Sequence, residues 1–125
     1  MRKAFVLGIP IVFVALALAQ VSDDEYKTLM QSNGANVMAV RDATDNAAAA
    51  TAANRLVDTF TKVADYWRAK NVADAVTFAE AARDAAKAIV DGKGDKSENL
   101  IKLQQQCGGC HMAHRGGGRG NFTFK

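Results

Sequence analysis

Inward-facing positions recur at helical spacing in successive stretches of the chain, the first of which begins near Ser22. Ser22 and Glu25 form a capping-box pattern, in which each side chain satisfies a free backbone N–H at the start of a helix. The positions that then share one helical face are Tyr26, Leu29, Met30, Asn33, Val37 and Val40. We predict a first helix that runs to about Asp42.

A second amphipathic stretch follows, and Thr44 or Asp45 can cap its start. Its core-facing positions are Leu56, Val57, Phe60, Val63, Ala64 and Trp67. The apolar register slips after Trp67, and Asn71 followed by Asp74 offers a new N-cap. We predict a break near Lys70, with a bent continuous helix as the alternative.

The third stretch has an inner stripe of mostly small residues, namely Ala75, Val76, Ala79, Ala82, Ala86, Ile89 and Val90. Gly92 can end this helix, because glycine readily adopts the left-handed conformation of a helix C-terminus. Small side chains on this stripe allow neighbouring helices to approach closely.

A second capping-box pattern, from Asp95 to Glu98, predicts the start of a fourth helix. Its inner face carries Leu100, Leu103, Cys107, Cys110, His111 and His114. Four amphipathic helices with short connections can bury their apolar faces only against each other. The pattern therefore predicts an all-α, antiparallel four-helix bundle.

Composition fits one small domain, because the chain has 125 residues of which 49% are hydrophobic. Residues 1–19 join a basic start to an apolar run and small residues, which is typical of a cleaved signal peptide, although an uncleaved membrane anchor is the alternative. We expect residues 20–115 to form the helical domain and residues 116–125 a flexible, glycine-rich tail.

The net charge of the chain does not favour a nucleic-acid partner. The signal sequence carries Arg2 and Lys3, so its removal lowers the net charge from +3 to +1. The arginines at positions 115 and 119 are too few to form a basic binding surface. An exported mature chain of this kind is expected in the periplasm, without a membrane anchor.

The run Cys107-Gly108-Gly109-Cys110-His111 is the C-x-x-C-H pattern of covalent haem attachment. The thiols of Cys107 and Cys110 would bond the haem vinyl groups, and the imidazole of His111 would bind the iron. The two glycines would leave room for the edge of the macrocycle. Alternatives are a disulfide, a thioredoxin-like redox pair and a zinc site. The thioredoxin-like pair lacks its usual βαβ context, and the zinc site lacks a second Cys/His pair to complete its ligands.

The other face of the iron has methionine candidates in the first helix. Met30 is preferred, because Gly34 lies one turn later and would let a haem approach the helix. Met38 is the competitor, and Met112 is disfavoured because it adjoins His111. Packing of these methionines in the core is the simpler alternative.

The haem segment from Cys107 to Arg115 and the segment from Leu29 to Met38 together resemble the class II cytochromes c, the cytochrome c-prime family. The resemblance implies a haem near the C-terminus of a four-helix bundle. It implies axial ligation by His111 and Met30, as in the low-spin members. It also implies that Arg115, with Lys27 as a second candidate, contacts the haem propionates, and that the chain forms a homodimer.

These observations predict a periplasmic electron carrier with one haem c and redox proteins as partners, rather than an enzyme. The alternative from the same family is a five-coordinate binder of nitric oxide or carbon monoxide. A peroxidase-like enzyme is disfavoured, because His111 and His114 lie on the same helix and leave no histidine for a distal acid and base. We expect His114, Tyr66 and Trp67 to pack rather than to react.

Overall fold

The structure, a computed structural model, describes residues 20–117 and 123–125. Four helices pack against one another, which confirms the prediction of an all-helical fold. They are α1 (Asp23–Asp42), α2 (Asn46–Ala69), α3 (Ala73–Val90) and α4 (Lys96–His114). Two short strands follow, β1 (Arg115–Gly116) and β2 (Thr123–Phe124). The predicted signal sequence at residues 1–19 lies outside the described residues.

Side-chain caps define the start of three helices. The side chains of Ser22, Asp45 and Asp95 each accept a hydrogen bond, 2.8–3.1 Å long, from the backbone N–H three residues later. These residues satisfy donors that have no partner within the helix. The predicted starts of α1 and α4 are confirmed, and Asp45 rather than Thr44 caps α2.

The break between α2 and α3 is confirmed, but the predicted cap of α3 is wrong. α2 ends at Ala69, and Asn71 adopts a positive φ of 58°. The residue that precedes α3 is Val72, which makes no side-chain cap. An N-cap residue needs an extended backbone, whereas Asn71 uses the tolerance of asparagine for the left-handed region to turn the chain out of α2.

The core is built from alanines in the middle of the chain and larger residues around them. Leu56, Leu103 and Val40 are fully buried, and the predicted inner alanines of α3 are buried as well. α2 and α3 make the most extensive helix contact, whereas α1 and α4 touch only sparingly. The bundle is therefore open between its first and last helices.

An aromatic cluster closes one end of that opening. Tyr26 of α1 stacks on Tyr66 of α2 with ring centroids 4.3 Å apart, and Trp67 meets both rings edge-on. Phe124 lies 5.5–5.8 Å from these rings, because β2 pairs antiparallel with β1 directly after α4. The sequence pattern did not predict this pairing, which brings the chain end back beside the Cys-x-x-Cys-His segment.

Within residues 20–117 and 123–125, none of the helices is both long enough and apolar enough to cross a membrane.

Candidate functional site

A cavity of about 420 Å³ lies where α1 and α4 separate. All four helices contribute to its wall. Its described lining residues are Tyr26, Met30, Asn33, Gly34, Val37, Phe60, Val63, Phe78, Ala79, Ala82, Gln104, Gln106, Cys107, Gly108, Cys110 and His111. The volume falls within the range of about 300–1,000 Å³ that is usual for small-molecule and cofactor sites.

The predicted haem-attachment residues lie together on the α4 wall. Cys107, Cys110 and His111 all line the cavity, and both cysteines are free thiols. Each of the three side chains is half-buried, so each has one side in the protein and one side toward the open volume. Helical spacing places them on adjacent positions of one face, as the sequence analysis predicted.

Burial changes the acidity of these groups. Desolvation raises the pKa of the Cys107 thiol, and it raises the pKa of Cys110 to about 11, with Cys107 and Asp74 adding smaller contributions. The pair also lies in the last turns of α4, where the helix dipole disfavours an anion. A thioredoxin-like pair needs a lowered thiol pKa, so this environment does not suit thiol redox catalysis.

The environment of His111 suits a neutral ligand. Desolvation lowers the pKa of the imidazole, and the charge of Arg115 lowers it further. A neutral imidazole is the form that binds a metal. In the part of the chain that the structure describes, no three His, Cys, Asp or Glu side chains are grouped as a metal site, so the cysteines have no zinc-type ligand set around them.

The candidate methionines differ in their position relative to the cavity. Met30 lines the cavity across from the α4 wall, together with Gly34 and Val37. Met38 does not line it and is 52% exposed, and Met112 is 81% exposed. Of these methionines, Met30 alone combines a cavity position with partial burial, which agrees with the preference drawn from the sequence.

Glycines at the cavity have different roles. A Cβ atom added to Gly34 or Gly108 would meet no non-neighbouring protein atom within 4 Å. Both line the cavity from within a helix, where glycine is unfavourable, and the protein's own packing does not require them. Gly109 differs, because its added Cβ would lie 2.6 Å from Phe78 Cε1. Gly109 thus lets α4 pack closely against α3, and its role beside a macrocycle stays a prediction.

The cavity is nearly free of charge. None of its described lining residues is Asp, Glu, Lys or Arg, and most are apolar. Asn33 is 8% exposed, and its Oδ1 atom has no hydrogen-bond partner. The phenol of Tyr26 accepts a hydrogen bond from Trp67 Nε1–H at 3.2 Å, and burial raises the pKa of Tyr26 to about 12. The polar groups of the wall are thus neutral.

Arg115 and His114 lie beside the cavity rather than in its wall. Arg115 is exposed in β1, close to His111, and is not one of the lining residues. His114 Nε2 is 2.8 Å from Asp74 Oδ2, and its ring lies 5.3 Å from that of Trp67. His114 therefore packs at the end of the bundle, in agreement with its predicted structural role.

Sequence reasoning missed several wall residues, notably Phe78, Gln104 and Gln106. Phe78 lies next to Ala79 of the inner stripe of α3, and Gln104 lies between Leu103 and Cys107 on α4. In a sequence, neither phenylalanine nor glutamine by itself indicates a functional site. These residues border the same cavity only because α1 and α4 are separated.

No protein-family model matches the chain, and no curated protein or solved structure shows significant similarity to it.

Proposed function

We propose that this chain is a periplasmic c-type cytochrome that carries electrons and belongs with the low-spin class II cytochromes c. One observation carries the proposal: Cys107, Cys110 and His111 of α4 line one cavity together with Met30 of α1. A thiol pair, an imidazole and a thioether are the groups that attach and ligate haem c. The bound haem supplies one-electron chemistry, through iron that alternates between the ferric and ferrous states.

The cavity fits such a group in both size and lining. Gly34 and Gly108 leave open space on the α1 and α4 walls that no protein atom fills. Phe60, Val63 and Phe78 supply an apolar surface for the macrocycle. Since Cys107 and Cys110 are free and face the same volume, both thiols are available for bonding to a single haem.

Each protein group then has a defined task. His111 would hold the iron from α4 as a neutral imidazole, and Met30 would hold it from α1, where a thioether ligand would raise the reduction potential. The nearly uncharged lining favours the iron state of lower charge, because a low-dielectric surrounding penalises extra charge. Short connections between the helices, such as residues 43–45 and 70–72, support an antiparallel bundle.

Partners of the carrier would be redox proteins that dock weakly, as expected of transient electron-transfer complexes. Met38, Ile101 and Met112 are the large apolar side chains that the structure describes as exposed, and all three lie on α1 or α4. A homodimer remains part of the proposal from family resemblance. Arg115 lies beside the cavity rather than in it, so a contact with a haem propionate would be made at the edge of the site.

The test is an optical spectrum of the protein produced with a c-type haem maturation system, in the oxidised and reduced states. We expect covalent haem, a low-spin spectrum and a ferric iron-to-methionine charge-transfer band. Met30→Ala should abolish that band, whereas Met38→Ala should retain it, because Met38 lies outside the cavity.

Two other results would replace the proposal. A high-spin spectrum that shifts with carbon monoxide would establish the five-coordinate gas binder. Absence of covalent haem, under conditions that mature another c-type cytochrome, would exclude both haem functions.

A further inference from the structure

The phenol of Tyr66 is hydrogen-bonded to a carboxylate. The residue is only 2% exposed, and its O–H group donates to Asp23 Oδ1 at 2.8 Å. Asp23 lies in the first turn of α1, and its side chain is 60% exposed. The sequence predicted only a packing role for Tyr66, and any acceptor would satisfy a buried phenol. A carboxylate differs from other acceptors because it can also take the proton.

Stacked aromatic rings connect Tyr66 to the cavity. Tyr26, which lines the cavity, stacks on Tyr66 with ring centroids 4.3 Å apart. Trp67 meets both rings edge-on, with its centroid 5.7 Å from that of Tyr26 and 5.2 Å from that of Tyr66. Aromatic rings in contact exchange electrons readily, because their π orbitals overlap. An electron can therefore pass from Tyr66 through Tyr26 into the cavity.

The oxygen atoms of the two tyrosines have different neighbours. Trp67 Nε1–H donates to the Tyr26 oxygen at 3.2 Å, which withdraws electron density from that phenol. Asp23 accepts from Tyr66, which adds electron density to its phenol and provides a place for its proton. A phenol that loses an electron becomes a strong acid, so an acceptor within hydrogen-bond distance makes the loss easier. These surroundings favour oxidation at Tyr66.

A nearby positive charge requires the proton to leave together with the electron. Lys70 Nζ lies 4.7 Å from the centre of the Tyr66 ring and 3.4 Å from Asp23 Oδ1. A positively charged ring beside this ammonium would be repelled, whereas a neutral tyrosyl radical would not. Because the Asp23 side chain is exposed, its carboxyl group can then release the proton to water.

We propose that Tyr66 is a redox-active residue that gives one electron to an oxidant in the cavity and its phenol proton to Asp23. The O–H bond of Tyr66 breaks, an O–H bond forms on the Asp23 carboxylate, and a neutral tyrosyl radical remains in the ring stack. The identity of the oxidant rests on the proposed function: it is hydrogen peroxide that reaches the haem. Peroxide takes two electrons and two protons to become two waters, with one electron from the haem, one from Tyr66 and the protons from solvent. Tyr66 thereby removes oxidising equivalents that would otherwise convert Met30 to its sulfoxide.

The chemistry of Tyr66 and Asp23 can be tested without haem, in the full chain carrying Cys107→Ser and Cys110→Ser so that no thiol competes. Azide radicals generated by pulse radiolysis oxidise tryptophan, and Trp67 is the single tryptophan of the chain. We expect the absorption of the tryptophan radical to convert into that of a tyrosyl radical. Tyr66→Phe should slow this conversion by about tenfold or more, the factor that one hydrogen bond to a charged group contributes.

Tyr26→Phe is the matched control, because it removes the same O–H group from the other ring of the stack, which is 3% exposed and also meets Trp67 edge-on. This variant should retain the fast conversion. Asp23→Asn keeps the phenol of Tyr66 but replaces the proton acceptor with a neutral amide. It should slow the conversion as Tyr66→Phe does, and it serves if the phenylalanine variant fails to fold.

The second measurement uses ferric holoprotein carrying Met30→Ala, which opens the iron to peroxide. Hydrogen peroxide should produce a tyrosyl radical, detected by electron paramagnetic resonance in rapidly frozen samples. Tyr66→Phe should remove the tyrosyl signal, and Tyr26→Phe should retain it.

The outcomes separate this inference from the proposed function. Conversion that is unaffected by Tyr66→Phe, or that is lost only in Tyr26→Phe, would overturn the inference and leave the electron carrier intact. Fast conversion without a tyrosyl radical in the peroxide-treated holoprotein would overturn the role of Tyr66 toward the cavity. Absence of covalent haem would overturn the proposed function and the haem-bound oxidant, whereas the haem-free measurement would still decide whether Tyr66 and Asp23 act as a redox pair.

Discussion

Gly34 provides the sharpest test of whether the cavity holds a cofactor. The residue lies within α1, and a methyl group added there would meet no non-neighbouring protein atom within 4 Å. Glycine within a helix is less favourable than alanine by about 1 kcal/mol. In the chain without haem, Gly34→Ala should therefore increase the free energy of unfolding by about that amount, since the new methyl group displaces nothing.

The haem-loaded protein should respond differently. A methyl group on Gly34 projects into the volume that the macrocycle would use, so the gain in helix stability should be offset by poorer packing of the cofactor. We expect the stabilisation to be lost or reversed once haem is attached, and the haem content of the purified protein to fall.

Gly109→Ala is the matched control, because it makes the same change in another helix. Its new Cβ would lie 2.6 Å from Phe78 Cε1, and an overpacked contact costs about 1–3 kcal/mol. In the haem-free chain, this variant should be less stable than Gly34→Ala by a difference of that order.

Urea denaturation followed by far-UV circular dichroism measures all of these values. For a domain of this size, 1 kcal/mol also corresponds to a shift in Tm of about 4–8 °C. Equal stabilisation of the haem-free and haem-loaded forms by Gly34→Ala would refute the idea that the glycine makes room for a cofactor. A stabilising Gly109→Ala would refute the close contact between α3 and α4.

Three further predictions concern the bundle around the cavity. In the haem-free chain near neutral pH, Cys110 should react with iodoacetamide on the order of 100-fold more slowly than an ordinary cysteine, because its pKa is raised from 9.0 to about 11. An exposed reference thiol introduced by Ala113→Cys should react faster. Equal rates of the two thiols, measured by mass spectrometry, would contradict the buried environment of Cys110. Lys96→Met should lower the free energy of unfolding by about 1 kcal/mol, because the Lys96 ammonium donates hydrogen bonds of 2.9 and 3.2 Å to carbonyl groups at the end of α1. Unchanged urea denaturation of the variant would show that these hydrogen bonds are not made. Asp23→Asn should lower Tm at neutral pH, because the hydrogen bond from Tyr66 lowers the pKa of Asp23 in the folded state. The stability from this hydrogen bond is lost as the pH falls through the folded pKa, so the Tm difference between variant and parent should vanish in acid. A Tm difference that does not depend on pH would contradict this role of Asp23.

The sequence predicted the helices well, because their signals are local. Ser22, Asp45 and Asp95 act within three residues of themselves, and apolar spacing identified core positions on each of the four helices. The cap of α3 was mispredicted because Asn71 suits either a cap or a left-handed turn, and only the packing of α2 against α3 decides between them.

The candidate site could be predicted only in part. Cys107, Cys110 and His111 carry a motif of adjacent residues, and spacing placed Met30 on the face of α1 that lines the cavity. The role of Gly109 depends on Phe78, which is distant in sequence and comes close only through the packing of α3 against α4. No local pattern could have revealed that contact.

The cavity has one wall from the first helix and another from the last, and this arrangement has a kinetic consequence. Contacts between the two ends of a chain form slowly, because closing a long loop costs conformational entropy before any contact compensates for it. The joining of α1 to α4 should thus be a late folding event, after α2 and α3 have formed their extensive contact. Until α1 joins, the cavity would lack one wall, so the two cysteines of α4 should be more accessible to covalent modification than in the completed bundle.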